Sequence, residues 1–175
     1  FAEAAAAAVG ISLALALVFL FSALFGVVNT GSEFQYRTVI ATFLTTRGRD
    51  RVLATKLVVA TIFGLAYCLV AEVVSALTIL MFGGGFSGAD FGTVGAVLAT
   101  GLLCAALWAL IGAGLGLLTG SMTGSVLAIC AWIPFGELVV SLVLHGVGLG
   151  TVAQYLPGQV TWYTLFSVVE MPDDV

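Results

Sequence analysis

Few side chains in this 175-residue sequence are suited to chemistry: Glu72 and Glu137, each inside a long apolar run, a lone His145, and Cys68, Cys104 and Cys130. An ionised carboxylate at the centre of a bilayer costs about 2.5–3.5 kcal/mol on the insertion scale, so each glutamate needs a partner. Two readings stay open. In one, Glu72 bonds Ser75 or a neighbouring helix, and Glu137 bonds Ser141 or a backbone amide near a kink at Pro134. In the other, one or both line a cavity and attract a cationic substrate. The cysteines show no CxxC spacing and no nearby histidine, so neither a zinc site nor a disulfide framework is indicated; they read as small buried apolar residues. His145, the only histidine, closes an apolar run and reads as a membrane-belt residue, and no Ser/His/Asp set can be assembled around it. The glycine-rich "GGGFSG" (residues 83–88) has no following GK[ST], and no lysine occurs after Lys56. The chain therefore is not expected to be an enzyme or to hold a metal or cofactor of its own.

The surroundings of these residues are nearly hydrocarbon. Hydrophobic residues make up 61% and charged residues 8%, and the mean hydropathy is +1.22, so the solvent they face is lipid. The nine acids are scattered, whereas all five bases fall within "EFQYRTVIATFLTTRGRDRVLATK", residues 33–56. Their distribution carries the information that the net charge of −4 does not. Short cytoplasmic loops retain Lys and Arg, which puts residues 30–51 in the cytoplasm and the base-free loop at 83–91 outside.

The elements that position these groups follow from run length. About 20 helical residues at about 1.5 Å each cross the hydrocarbon, and spans are expected at about 9–29, 52–82, 93–118 and 124–146. The first closes at Asn29, Thr30 and Gly31, with Gly31 suited to a left-handed C-cap. "SEFQ" then reads as a capping box that opens a separate interfacial helix at 33–44. On it, Tyr36, Val39, Ile40, Phe43 and Leu44 share one face, and Gln35, Thr38 and Thr42 share another, which leaves Phe34 off the apolar stripe. Phe34 is then either an ordinary exposed residue or a knob for a partner's groove. Asp50 can cap the second span, and Lys56 can snorkel to the inner surface. "TGSMTG" marks a tight turn between the third and fourth spans. Gly112, Gly116 and Gly120, four residues apart, make one helix face smooth enough for another backbone. Residues 147–175, with Pro157 and the aromatic residues Tyr155, Trp162 and Tyr163, are too broken for a span and read as short extracellular helices at the outer belt. The expected fold is thus an all-α polytopic membrane protein of one domain. The apolar start without a basic leader and the acidic "MPDDV" end suggest a piece of a longer chain.

The order of these parts resembles the type-2 permeases of bacterial ATP-binding cassette exporters. "EFQYRTVIATFLTTRGRDRVLATKL" is similar to their segment in which an acidic residue, an aromatic, a basic residue, a Thr-rich turn and an Arg-rich run precede "KL" and a long helix. "GLLTGSMTGSVLAICAWIPFGELVV" resembles a later segment of the same permeases, and "YLPG" recurs in them near the outer face. The resemblance covers most of residues 25–160. It implies a six-span half-transporter, with one span before Phe1 and one after Val175. It also implies that residues 33–44 form the cytoplasmic coupling helix that docks on the nucleotide-binding subunit, with Glu33, Phe34, Gln35, Arg37 and Thr38 as partner-binding residues. The implied partners are that ATPase subunit, which would hold ATP and Mg, a second permease copy or homologous half, and membrane lipid, with no nucleic acid.

Three functions compete on this basis. The first is a permease that exports an amphipathic or lipid-like substrate across a bacterial cell membrane, driven by ATP hydrolysis on its partner. The second is a proton-coupled secondary transporter in which Glu72 and Glu137 carry protons. The third is a non-transporting scaffold whose interface is the Gly112–Gly120 face. An adjacent reading frame with a P-loop would favour the first, and transport on a proton gradient without any ATPase would favour the second.

Overall fold

A computed structural model describes residues 2–36, 48–82 and 91–169. Among them lie seven α-helices and one π-helical segment: α1 (Ala2–Gln35), α2 (Arg49–Phe82), α3 (Phe91–Thr119), α4 (Met122–Ala131), the π segment (Trp132–Gly136), α5 (Glu137–Gly146), α6 (Gly150–Ala153) and α7 (Pro157–Val169). Four stretches are long and apolar enough to cross a membrane: Ala16–Gln35, Asp50–Thr78, Val94–Thr119 and Met122–Gly146. With no water at that depth, a helix is how each stretch satisfies its own backbone. The hydroxyls follow the same rule, as Thr55, Thr61 and Thr78 each donate to the carbonyl four residues earlier. Large apolar side chains face outward, including Leu118, Met81, Leu127 and Leu142, which is the inverse of a water-soluble surface and suits a multi-pass membrane protein.

The centre of the bundle is the packing of α1 on α3, which run parallel, with α2 antiparallel to both and α4 against α1. Small residues permit it. A Cβ at Gly112 would collide with the Ala23 backbone, and one at Gly26 would stand 2.7 Å from the Ala113 nitrogen. Gly116 has no room for a Cβ beside Thr30. Two buried hydroxyls tie the same pair of helices: Ser22 Oγ donates to the Ala105 carbonyl at 2.7 Å, and Thr30 Oγ1 lies 3.0 Å from the Ala113 carbonyl. Close backbone approach plus interhelical hydrogen bonding is how helices associate in lipid. The smooth face expected at Gly112 and Gly116 is therefore occupied by α1 of the same chain. Gly120 belongs instead to the turn, where its φ of 59° is left-handed.

Three sequence expectations change here. First, α1 does not stop at Gly31. It runs on to Gln35, and the Ser32 carbonyl accepts the Tyr36 N–H at 2.9 Å, so Ser32 is interior to a helix and caps nothing. Gly31 serves close packing instead, because a Cβ there would stand 2.9 Å from the Met122 Cα. The expected separate helix at 33–44 thus has its first residues inside α1, and its remainder, with Arg37 and Thr38, lies outside the described residues. Second, Asp50 sits within the first turn of α2 and not before it. Third, α7 does not lie only at an outer belt; it packs on α3, and its buried Thr161 reaches Trp108 near the middle of that helix. The turn before α4 is as expected, with Ser121 as its N-cap accepting the Gly124 N–H at 3.2 Å.

Candidate functional site

Two clusters hold Glu33, Phe34, Gln35 and Glu137 of the sequence-nominated residues. The first is at one end of the bundle, where the last turn of α1, the first turns of α2 and the turn between α3 and α4 converge. Lys56 Nζ lies 2.7 Å from Glu33 Oε1 and donates to the Asn29 carbonyl at 3.3 Å. Asn29 Nδ2 returns a bond to the Lys56 carbonyl at 3.2 Å. The amide and the ammonium thus close α1 onto α2 reciprocally. Lys56 is therefore a staple between helices as well as a residue near the end of a span. Phe34 is half-buried, its ring 3.5 Å from where a Gly120 Cβ would stand. It lies beside the α3–α4 turn, and the aromatic that projects is Tyr36, 73% exposed. Gln35 is exposed, and Glu33 is partly exposed beside Lys56.

The second cluster surrounds Glu137, which is 7% exposed. Pro134 has no N–H to give, and the helix between α4 and α5 widens to a π segment over Trp132–Gly136. Glu137 begins α5 directly after it, and its Oε1 accepts the Gly158 N–H at 2.6 Å. Gly158 is the second residue of α7, whose first N–H groups have no partner within the helix. Pro157, at the first helical position, lacks an N–H in any case. A carboxylate from another helix thus caps α7 at its positive end. A Cβ at Gly158 would overlap that carboxylate. One turn on, Trp108 Nε1–H donates to Thr161 Oγ1 at 3.1 Å, and Thr161 in turn donates to the Pro157 carbonyl at 2.7 Å. Glu137, Gly158, Thr161, Trp108, Trp162 and Phe19 line a cavity of about 40 Å³. The bond to a backbone amide is of the kind expected for Glu137, but the amide comes from α7 and not from the Pro134 region.

Glu72 stands apart from this cluster. Half-buried on α2, it accepts from Cys68 Sγ at 3.6 Å and lies against Gly101 of α3, 2.8 Å from a Cβ placed there. Its partner is Cys68 and not Ser75. Between α1 and α2 a separate apolar cleft of about 530 Å³ is walled by Phe21, Phe25, Phe63 and Tyr67. The Phe25 and Phe63 rings stack at 4.7 Å between centroids. Among the described residues no group of three or more His, Cys, Asp and Glu is placed to hold a metal. His145 Nδ1 is 2.8 Å from the Ser141 carbonyl, which orients an exposed ring at the end of α5.

Sequence reading missed Asn29, Trp108, Gly158 and Thr161. Trp108 carried a usable signal, since an indole N–H inside an apolar run must find an acceptor. Compared with models of known protein families, with curated proteins and with solved structures, the chain finds no match.

Proposed function

We propose that this chain is a transmembrane permease subunit of an ATP-driven exporter, moving an amphipathic or lipid-like substrate out of the cytoplasm with energy from ATP hydrolysed on a partner. The observation that carries the reading is the convergence at one end of the bundle. Arg49, Arg51 and Lys56 stand in the first turns of α2, in a sequence whose five bases all fall within residues 33–56, and the α3–α4 turn meets the same end through Phe34 and Gly120. A partner that pressed on this end would move α1, α2 and α4 together, because Glu33–Lys56, Asn29–Lys56 and Gly31–Met122 couple them. The cluster of bases makes it the cytoplasmic end, where ATP is available. The sequence resemblance to type-2 permeases adds the nature of the partner: a nucleotide-binding subunit, engaged by Glu33, Phe34, Gln35, Arg37 and Thr38. Given the exposures, Gln35 at the end of α1 and Tyr36 just beyond it present themselves, and Phe34 braces them against the turn.

In this reading Glu137, and less directly Glu72, belongs to the substrate path, two such chains or homologous halves work together in the cell membrane, and ATP and Mg reside on the partner. The test is ATP-driven transport by the purified complex in proteoliposomes, screened over lipids and amphipathic drugs. Transport by this chain without an ATPase, on a proton gradient, would overturn the reading in favour of a secondary transporter.

A further inference from the structure

We propose that the cleft between α1 and α2 is a binding site for an anionic phospholipid of the cytoplasmic leaflet, with one acyl chain between its aromatic walls and the phosphate held by Arg51 and Lys56. This lipid is a resident of the bundle and not its cargo, so the inference stands apart from the energy source of transport and from the permease reading.

The cleft holds about 530 Å³, within the range of about 300–1,000 Å³ for ligand sites. Its lining is apolar, and Phe21, Phe25, Phe63, Tyr67 and Val70 in its walls are each 37–60% exposed, so no described part of the chain closes over them. An apolar hollow stays dry and, left empty, loses dispersion contacts along its lining, so in a membrane an acyl chain fills it. A helix does not fit. The Phe25 and Phe63 rings stack at 4.7 Å and those of Phe21 and Tyr67 lie 6.1 Å apart, which holds α1 and α2 too close to seat between them a further helix about 10 Å across. The walls are also large side chains, where helices that associate in lipid offer small ones.

Depth and charge select the leaflet and the headgroup. Asn29 and Lys56 bond each other at the basic end of the helix pair, and the cleft runs inward from there. Val28 stands next to Asn29 on α1, and Val70 lies beyond Lys56 on α2 by about 21 Å at about 1.5 Å per residue. That interval matches one leaflet, about 20 Å deep with its headgroups. On α2, Arg51, Thr55, Val58, Ile62, Ala66 and Val70 recur at three- and four-residue spacing as one exposed stripe, whose last two members line the cleft. The exposed Arg51 therefore stands on the line that leads into it. Lys56 adds a second positive charge at the mouth, shared with Glu33. The five bases within residues 33–56 face two acids there, Glu33 and Asp50, and no base occurs elsewhere in the sequence. An anionic headgroup is thus attracted to one end of the bundle, and the cleft begins at that end.

The experiment uses the full chain purified in a neutral detergent, with dioleoylphosphatidylglycerol as the anionic probe and dioleoylphosphatidylcholine as its zwitterionic counterpart. Native mass spectrometry counts the lipids retained over a titration of each. Wild type should retain one phosphatidylglycerol at about tenfold lower concentration than phosphatidylcholine. Arg51→Gln should weaken phosphatidylglycerol by about fivefold, the loss of one basic contact, and leave phosphatidylcholine unchanged. Glu33→Gln removes the acid that competes for Lys56 and should strengthen phosphatidylglycerol. Ala66→Phe and Val70→Trp add bulk at two exposed positions of the cleft, so both lipids should be lost while the melting temperature without lipid stays near that of wild type. Equal retention of the two lipids by wild type overturns the headgroup assignment. Retention unchanged in both Ala66→Phe and Val70→Trp overturns the cleft as the site. A dimer that sheds lipid and cross-links through Ala66→Cys in a Cys130→Ala background gives the cleft to a second copy and overturns the proposal as well. ATP-driven transport tests the permease reading separately and is untouched by any of these results.

Discussion

Glu33 and Lys56 meet at 2.7 Å across the junction of α1 and α2, and the same ammonium reaches the Asn29 carbonyl. The pair is only partly exposed, at 28% and 13% of the respective side chains, so it is less screened than a surface pair. Lys56→Met should cost about 1 kcal/mol of stability, measured by thermal unfolding in detergent. The exchange Glu33→Lys with Lys56→Glu should recover part of that loss. A Lys56→Met protein as stable as wild type would show that the staple contributes nothing.

Gly112 and Gly114 are neighbours on α3 with opposite surroundings. A Cβ at Gly112 would run into Ala23, whereas one at Gly114 meets nothing within 4 Å. Gly112→Val should separate α1 from α3 and abolish a monodisperse peak in size-exclusion chromatography. Gly114→Ala should fold normally and gain up to about 1 kcal/mol from helix propensity. If both variants behaved alike, the parallel α1–α3 packing would be wrong.

Much of this was legible in the sequence because it is local. The presence of four helices long and apolar enough to span follows from uninterrupted apolar runs, and the turn at Thr119–Ser121 follows from Gly and Ser. The course of α1 past Gly31 was not legible, because a glycine that ends a helix and a glycine that admits a neighbouring backbone look alike in one sequence. The consequence propagated: starting a new helix at Ser32 left Phe34 off the apolar stripe and free for a partner, whereas it packs beside Gly120 of the same chain. Glu137 was marked by its cost in lipid. Its partner was not, since the Gly158 amide lies 21 residues away and becomes a neighbour only when α7 folds back.

Glu137→Gln should weaken transport of cationic substrates by about tenfold or more and leave neutral ones nearly unchanged, since a full charge is lost and the shape is kept. Paired uptake assays with one cation and one neutral amphiphile check this. Equal loss for both would assign Glu137 to structure alone.

Sidedness is testable at the two ends of α4–α5. In a Cys130→Ala background, a membrane-impermeant maleimide added to intact cells should label Val147→Cys and spare Ser121→Cys; both positions are exposed. Thr46→Cys, within the basic stretch, should be spared as well. Labelling of the Ser121 and Thr46 variants without labelling of Val147 would invert the topology.

The central claim is that ATP hydrolysed by a partner drives transport through this chain. The most direct measurement is substrate transport in proteoliposomes holding the purified complex, with ATP as the sole energy source. Transport should follow ATP hydrolysis and vanish when the P-loop lysine of the partner is replaced. Transport that continues unchanged in vesicles holding this chain alone, driven by a proton gradient, would contradict the account.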